Sequence, residues 1–178
     1  MPADAPLRHD TASVPARPPR LRTPTHLTDE QAGEVAAAVN RCAATTVALW
    51  LKTKNYHWHL SGPHFRDYHL LLDEQAAELL ATVDPLAERV RKIGRTTLHS
   101  VGHVARLQRI DDDERPAPAA HDMLHVLAED NETLTRELLA AHAVCDEYGD
   151  VATASLIEDY VDQAERRTWF LFEATRGA

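Results

Sequence analysis

The sequence predicts an all-α protein: four long helices in a bundle, with a short helix in the crossover between the second and the third. Three observations carry this. Only six glycines in 178 residues, with abundant Ala, Leu, Glu and Arg, favour helix. Apolar residues recur at three- and four-residue steps over four long stretches. Turn signals separate those stretches, at Ser61-Gly62-Pro63, Gly94 and Gly149.

Residues 1–27 stand apart. They hold six of the ten prolines and no apolar periodicity, and read as a flexible arm. Arg8, Arg17, Arg20 and Arg22 against Asp4 and Asp10 give the arm a net +2, leaving the body at −11. A basic arm on an acidic body suits DNA phosphates, and equally suits a mobile tail that solvates or wedges between neighbours. Residues 28–178 read as one bundle domain.

The first helix is expected to start at Thr28, where Thr28-Asp-Glu-Gln31 fits a capping box. Val35, Val39, Cys42, Thr46, Leu49 and Trp50 mark its buried stripe, which Thr53, His57 and Leu60 continue. Ser61-Gly62-Pro63 stops it. The second runs from His64 or Phe65 to Ile93, with Leu72, Ala76, Leu79, Leu80, Val83, Leu86 and Val90 as its apolar surface. Pro85 lies inside it and is expected to bend it, because proline cannot donate to residue 81. Leu98, Val101, Val104 and Leu107 suggest a short helix of about ten residues in the crossover. The acidic run Asp111-Asp-Asp-Glu114 reads as a solvated loop. The third long helix covers 119–147 with Met123, Leu124, Leu127, Leu134, Leu138, Leu139, Ala141 and Val144. The fourth covers 150–175 with Ala152, Leu156, Ile157, Tyr160, Ala164, Trp169 and Phe170.

Composition excludes several classes. A net charge of −9 argues against an evenly basic nucleic-acid surface. No apolar run approaches the ~18 residues of a membrane span, and MPADAPLRHD lacks the apolar core of a secretory signal. A cytoplasmic protein is expected, with Cys42 and Cys145 as reduced thiols outside any metal pattern.

The chemistry concentrates between Lys54 and Glu88, a stretch with four of the eleven histidines. His57 precedes the Ser-Gly-Pro break. His69 and Asp73 follow four residues apart on the next helix, and Asp84 and Glu88 repeat that step, so the four share one helix face. Eleven residues from 73 to 84 rise roughly 16 Å, whereas metal–ligand bonds are only about 2 Å long. A single ion therefore cannot take ligands from both ends of that helix. If the two ends form one site, they come from two chains, and a symmetric pair would hold two identical sites. A solvated helix face with incidental acids accommodates the same spacing.

The run His57-Trp58, Gly62-Pro-His-Phe65, His69-Leu-Leu-Leu-Asp73-Glu74, Asp84 and Ala87-Glu88-Arg89 closely resembles the Dps family, the DNA-binding proteins from starved cells, which are miniferritins. The resemblance extends more weakly to Trp169-Phe170 and implies a ferritin-like four-helix bundle. Carried over position by position, it makes His57, His69, Asp73, Asp84 and Glu88 the ferroxidase ligands, placed between two-fold-related subunits of a homododecamer. It implies Fe²⁺ oxidation with hydrogen peroxide as preferred oxidant, mineralisation of iron inside the shell, and protection of DNA. Trp58 then suits either capture of stray oxidising equivalents or interface packing. The resemblance also puts Asp146 and Asp150, with Glu147, at a three-fold iron inlet pore, although two further family pore acids fall at Val151 and Ser155 here.

Other groupings suggest less. His121-Asp122-Met-Leu-His125 resembles a zincin motif with Asp for Glu, which keeps a helical-bundle zinc hydrolase as an alternative; an exposed histidine pair is the plainer account. His99 and His103, four apart, suit a metal or nothing. No Glu-x-x-His occurs in the chain, which argues against a di-iron site inside the bundle. A nucleoid-binding scaffold with secondary iron chemistry is the remaining alternative.

Overall fold

The computed structural model describes residues 18–176. Its helices are α1 (Asp29–His59), α2 (Phe65–Lys92), α3 (Val101–Leu107), α4 (Ala120–Glu147) and α5 (Val151–Thr175), and no strand occurs among the described residues. Short turns fold α1 onto α2 and α4 onto α5 as two hairpins; α1 against α4 joins them, and α3 lies on α1. The core between them is a ladder of fully buried Leu49, Leu72, Leu79, Leu86, Leu127 and Leu138, each contributing roughly 1.5–3 kcal/mol by leaving water.

The boundaries follow local chemistry. Thr28 and Gln31 form the expected capping box: the Thr28 hydroxyl accepts from the Gln31 amide, and the Gln31 side chain accepts from that of Thr28. Gly62 carries the chain through φ +96°, and His64 enters α2 from a left-handed φ of 60°, a turn that a side chain at position 62 would strain. Asp150 caps α5 by accepting from the Thr153 amide. The crossover helix is seven residues and excludes Leu98, because Ser100 caps it through the His103 amide. α2 continues unbroken through Pro85.

Several residues expected on buried stripes face outward. Leu80, Leu139, Trp169 and Phe170 are exposed on the single chain, as are Trp58, Phe65 and Leu70. The last part of the expected arm is docked instead of free. Pro19–Leu21 form a 3-10 turn, the Thr23 hydroxyl donates to the carbonyl of Arg91 at 3.1 Å, and Leu27 is buried. Arg20 and Arg22 are exposed there; Arg8 and Arg17 lie outside the described residues. Among the described residues no helix is long and apolar enough to cross a membrane.

α2 and α5 share few backbone approaches but are tied by polar rungs. Arg89 donates to Asp150 and Thr153, both at 2.9 Å. Glu78 pairs with Arg166 at 2.6 Å and Arg167 at 3.7 Å. The Tyr68 hydroxyl donates to the carbonyl of Ala174 at 3.1 Å.

Candidate metal centre

His57 sits in the last turn of α1 and is buried; His69 lies in the first turns of α2. The hairpin stacks their rings at 3.7 Å between centroids and 19° between planes. His57 Nδ1 is 2.9 Å from the backbone oxygen of His69, and His69 Nδ1 is 3.0 Å from that of His57. A carbonyl oxygen only accepts, so each Nδ1 carries the proton and donates. In the neutral ring each Nε2 then keeps its lone pair, the form in which imidazole binds a metal.

Asp73 follows His69 by one turn. Its Oδ1 is 3.9 Å from His57 Nε2 and 2.7 Å from Lys54 Nζ. The lysine hydrogen bond, then its charge, holds the Asp73 carboxyl below the usual range. Two imidazoles and one carboxylate thus lean together without closing. Among the described residues no three His, Cys, Asp or Glu side chains are gathered tightly enough in one chain to hold an ion.

Asp84 and Glu88 occupy the other half of α2, both exposed. Among the described residues Glu88 makes one ion pair, with Lys92 at 3.1 Å. Because α2 runs unbroken from Phe65 to Lys92, the separation of roughly 16 Å along its axis stands. The chain does not bring these two acids to His57, His69 and Asp73.

The two candidate pore acids separate. Asp146 is exposed, whereas Asp150 is 2% exposed and engaged by Arg89 and Thr153. Local spacing does not reveal that engagement, since Arg89 lies 61 residues away. His121 and His125 are both exposed. His121 approaches neighbouring Asp122 at 3.9 Å, and His125 approaches Glu129 at 3.6 Å, so no third ligand of a zinc site assembles among the described residues. His99 and His103 stack at 5.2 Å. Burial, then His99 and Arg106, pushes the His103 pKa down.

Two polar clusters went unread in the sequence. Lys52 Nζ meets Asp130 at 2.6 Å, both buried. Tyr56, wholly buried, donates its hydroxyl to Asp113, which Arg115 also grips. That contact draws one acid of the supposedly solvated run 111–114 onto the bundle. Lys52 sits five residues before His57 on the inward side of α1, and a lysine there is the one signal that a buried acid was needed.

A ferritin-like domain model matches residues 36–176. The chain is 34% identical over 146 residues, 82% of each protein, to a low temperature-induced protein of Nostoc sp.. It is 33% identical over 138 residues to a DNA protection during starvation protein of Brevibacillus brevis, covering 77% of this chain and 91% of that one. The solved structure of DpsC from Streptomyces coelicolor superimposes with a TM-score of 0.85 at 30% identity, covering 88% of this chain and 92% of that one. The helical bundle agrees with these similarities, and the chain belongs to the Dps proteins of the ferritin-like domain family.

Proposed function

We propose that the chain is a cytoplasmic ferroxidase and iron-storage subunit that assembles as a homododecamer and limits oxidative damage to DNA. His57, His69 and Asp73 of one copy, with Asp84 and Glu88 of a second, would bind Fe²⁺ as substrate across a two-fold interface. The observation that carries this reading is the crossed pair of histidine hydrogen bonds. It fixes both rings in the metal-binding tautomer before any ion arrives and turns His57 Nε2 towards a carboxylate.

Three further points support it. Imidazole with carboxylate suits ferrous iron, and carboxylate suits the harder ferric product. The half-site on one chain is rimmed by exposed Trp58 and Phe65, the kind of apolar surface a second copy covers. The separation along α2 requires two chains if all five ligands act together.

With hydrogen peroxide as oxidant, two ferrous ions give one electron each. The O–O bond breaks, two protons are taken up, and two waters leave with both irons ferric. Paired delivery avoids the one-electron route to hydroxyl radical. Trp58, beside His57, is placed to intercept oxidising equivalents that escape. Ferric product passes into the shell and mineralises, and Asp146 and Glu147, both exposed, would draw Fe²⁺ to the inlet pore.

The test is His57→Ala with His69→Ala. Peroxide-dependent Fe²⁺ oxidation should fall at least a hundredfold while helicity and the twelve-subunit mass persist; oxidation at the wild-type rate in an intact shell refutes the assignment.

Direct contact with DNA is a second proposal, favoured by the arm's charge. Arg8, Arg17, Arg20 and Arg22 repeated over twelve copies would add by avidity. Gel shifts at graded salt with the full chain and a chain lacking the arm decide it: no shift even at low salt removes DNA contact and leaves the iron chemistry standing.

A further inference from the structure

The crossover between α2 and α4 leaves a hollow of about 380 Å³ against the first half of α1, a size in the range of small-molecule pockets. Its charged lining is all of one sign. Arg41 comes from α1, Arg95 from the segment after α2 and Arg109 from the segment after α3, and among the described residues no acidic side chain lines it. That is unusual for a chain with 28 acidic and 19 basic side chains. Three other hollows of the bundle each carry two or more acids. Ala36, Ala37 and Leu107 make the wall between the arginines apolar. Charges of one sign against low-dielectric walls focus the field in a cleft.

The lining is held in shape from several directions. Asn40, buried on α1, donates to the carbonyl of Thr96 at 3.0 Å and accepts from the Thr97 hydroxyl at 2.9 Å, which pins the crossover to α1. Arg95 is only 5% exposed and donates to the backbone carbonyl of Asp29. Arg109 spends Nη1 on the carbonyls of Leu107 and Gln108, at 2.9 and 3.0 Å, so its guanidinium is steadied while Nε and Nη2 have no protein acceptor. No carboxylate pairs with Arg109 among the described residues, and the one that pairs with Arg41, Glu137, stands off at 3.5 Å. A separate observation comes from His103, which also lines the hollow: its Nδ1 is sealed from solvent and meets no hydrogen-bond partner. Buried polar atoms are nearly always satisfied, and a polar ligand atom in the hollow would satisfy this one after a small turn of the ring.

We propose that this hollow binds a small phosphorylated molecule, its phosphate among Arg41, Arg95 and Arg109 and its apolar body on Ala36, Ala37 and Leu107. Guanidinium groups meet phosphate oxygens through two parallel N–H donors, and a dianion suits three cations. The volume exceeds what a lone phosphate fills, which favours a larger molecule. A stiff duplex could touch exposed Arg109, but its backbone phosphates would not descend to buried Arg95. The site depends neither on the proposed interchain centre nor on DNA contact by the arm.

The experiment is isothermal titration calorimetry of the full-length assembled protein at low salt with AMP, inorganic phosphate and adenosine. AMP should bind at one per chain, phosphate more weakly at the same site, and adenosine not at all. Arg109→Gln should weaken AMP at least fivefold. Ala37→Glu, a good helix former that puts an acid on the exposed edge of the wall, should abolish binding. Both variants should keep wild-type helicity, assembly and Fe²⁺ oxidation. Failure of AMP and phosphate to bind overturns the proposal, as does adenosine binding as tightly as AMP, or AMP binding that ignores both substitutions. A short DNA duplex whose affinity falls with Ala37→Glu, while AMP gives no heat, hands the hollow to nucleic acid and equally overturns it.

Discussion

His57 and His69 clasp each other: each donates its Nδ1 proton to the other's backbone carbonyl, at 2.9 and 3.0 Å. The twelve-residue step between them spans one helix end, the five-residue turn 60–64 and the next helix start. The hairpin turn therefore sets the geometry of the candidate centre, with Lys54 and Asp73 one turn to either side of the clasp.

Lys54→Met removes the ammonium that occupies Asp73. An incoming Fe²⁺ or Zn²⁺ ion then displaces nothing, and affinity at the centre of the assembled protein should rise about two- to fivefold, the size of a partly exposed ion pair. The Asp73 carboxyl, now held low chiefly by the lysine hydrogen bond, should climb towards its ordinary value. The sign is that of a depressed acid: the Lys54–Asp73 contribution is present above the ordinary carboxylate pKa and fades as pH falls through the lowered one. The variant should therefore lose the Asp73 charge at a higher pH than the wild type. Carbon-detected NMR titration of Asp73 and a metal titration read the two effects. An Asp73 titration that ignores the substitution would show that the ion pair does not form in solution.

Asp146→Asn and Asp150→Asn should behave in opposite ways. Asp146 is exposed, and its neutralisation should slow Fe²⁺ uptake with little change in stability. Asp150 is buried against Arg89; neutralising it should cost about 2–3 kcal/mol of folding stability and leave uptake by the surviving shells unchanged. Stopped-flow uptake and urea melts of both variants check the contrast.

Lys52→Met strands Asp130 in the interior without the cation that pairs with it. The expected cost is about 3–5 kcal/mol at neutral pH. Burial already raises the Asp130 pKa against the pull of Lys52, and loss of the lysine raises it further. A raised acid favours the folded state below its unfolded pKa, and that advantage is lost as pH rises through the folded value. The variant's deficit should therefore narrow towards acid pH. Adding Asp130→Leu should recover much of the loss. Chemical melts at several pH values provide the readout.

Cys42 and Cys145 should be inert in the native protein. Both are buried, and desolvation first, then neighbouring acids, pushes each thiol up to about 12, far from the reactive thiolate. A thiol reagent at neutral pH should modify neither until denaturant is added, and then both; native labelling of either by mass spectrometry contradicts this.

The helices were legible because their signals are local. The capping box at Thr28, the Ser61-Gly62-Pro63 stop and the Asp150 start each depend on residues within one turn. The ligand candidates were legible for the same reason, since i, i+4 spacing fixes a face. What escaped was long-range pairing. Nothing in the spacing of Lys52 and Asp130, 78 residues apart, shows that they meet. Nor does spacing reveal that Arg89 reaches Asp150, or that Tyr56 pulls Asp113 down from its loop. Trp169 and Phe170 lie on the apolar pattern of the fourth helix yet face outward, because periodicity marks a stripe without saying what covers it.

The unbroken run of α2 from Phe65 to Lys92 has a further consequence under the proposed pairing. A solitary subunit owns both halves of the machinery yet can join neither to the other. Crowding the chains together thus becomes the on-switch, and oxidation starts only once a container for the rust is under construction.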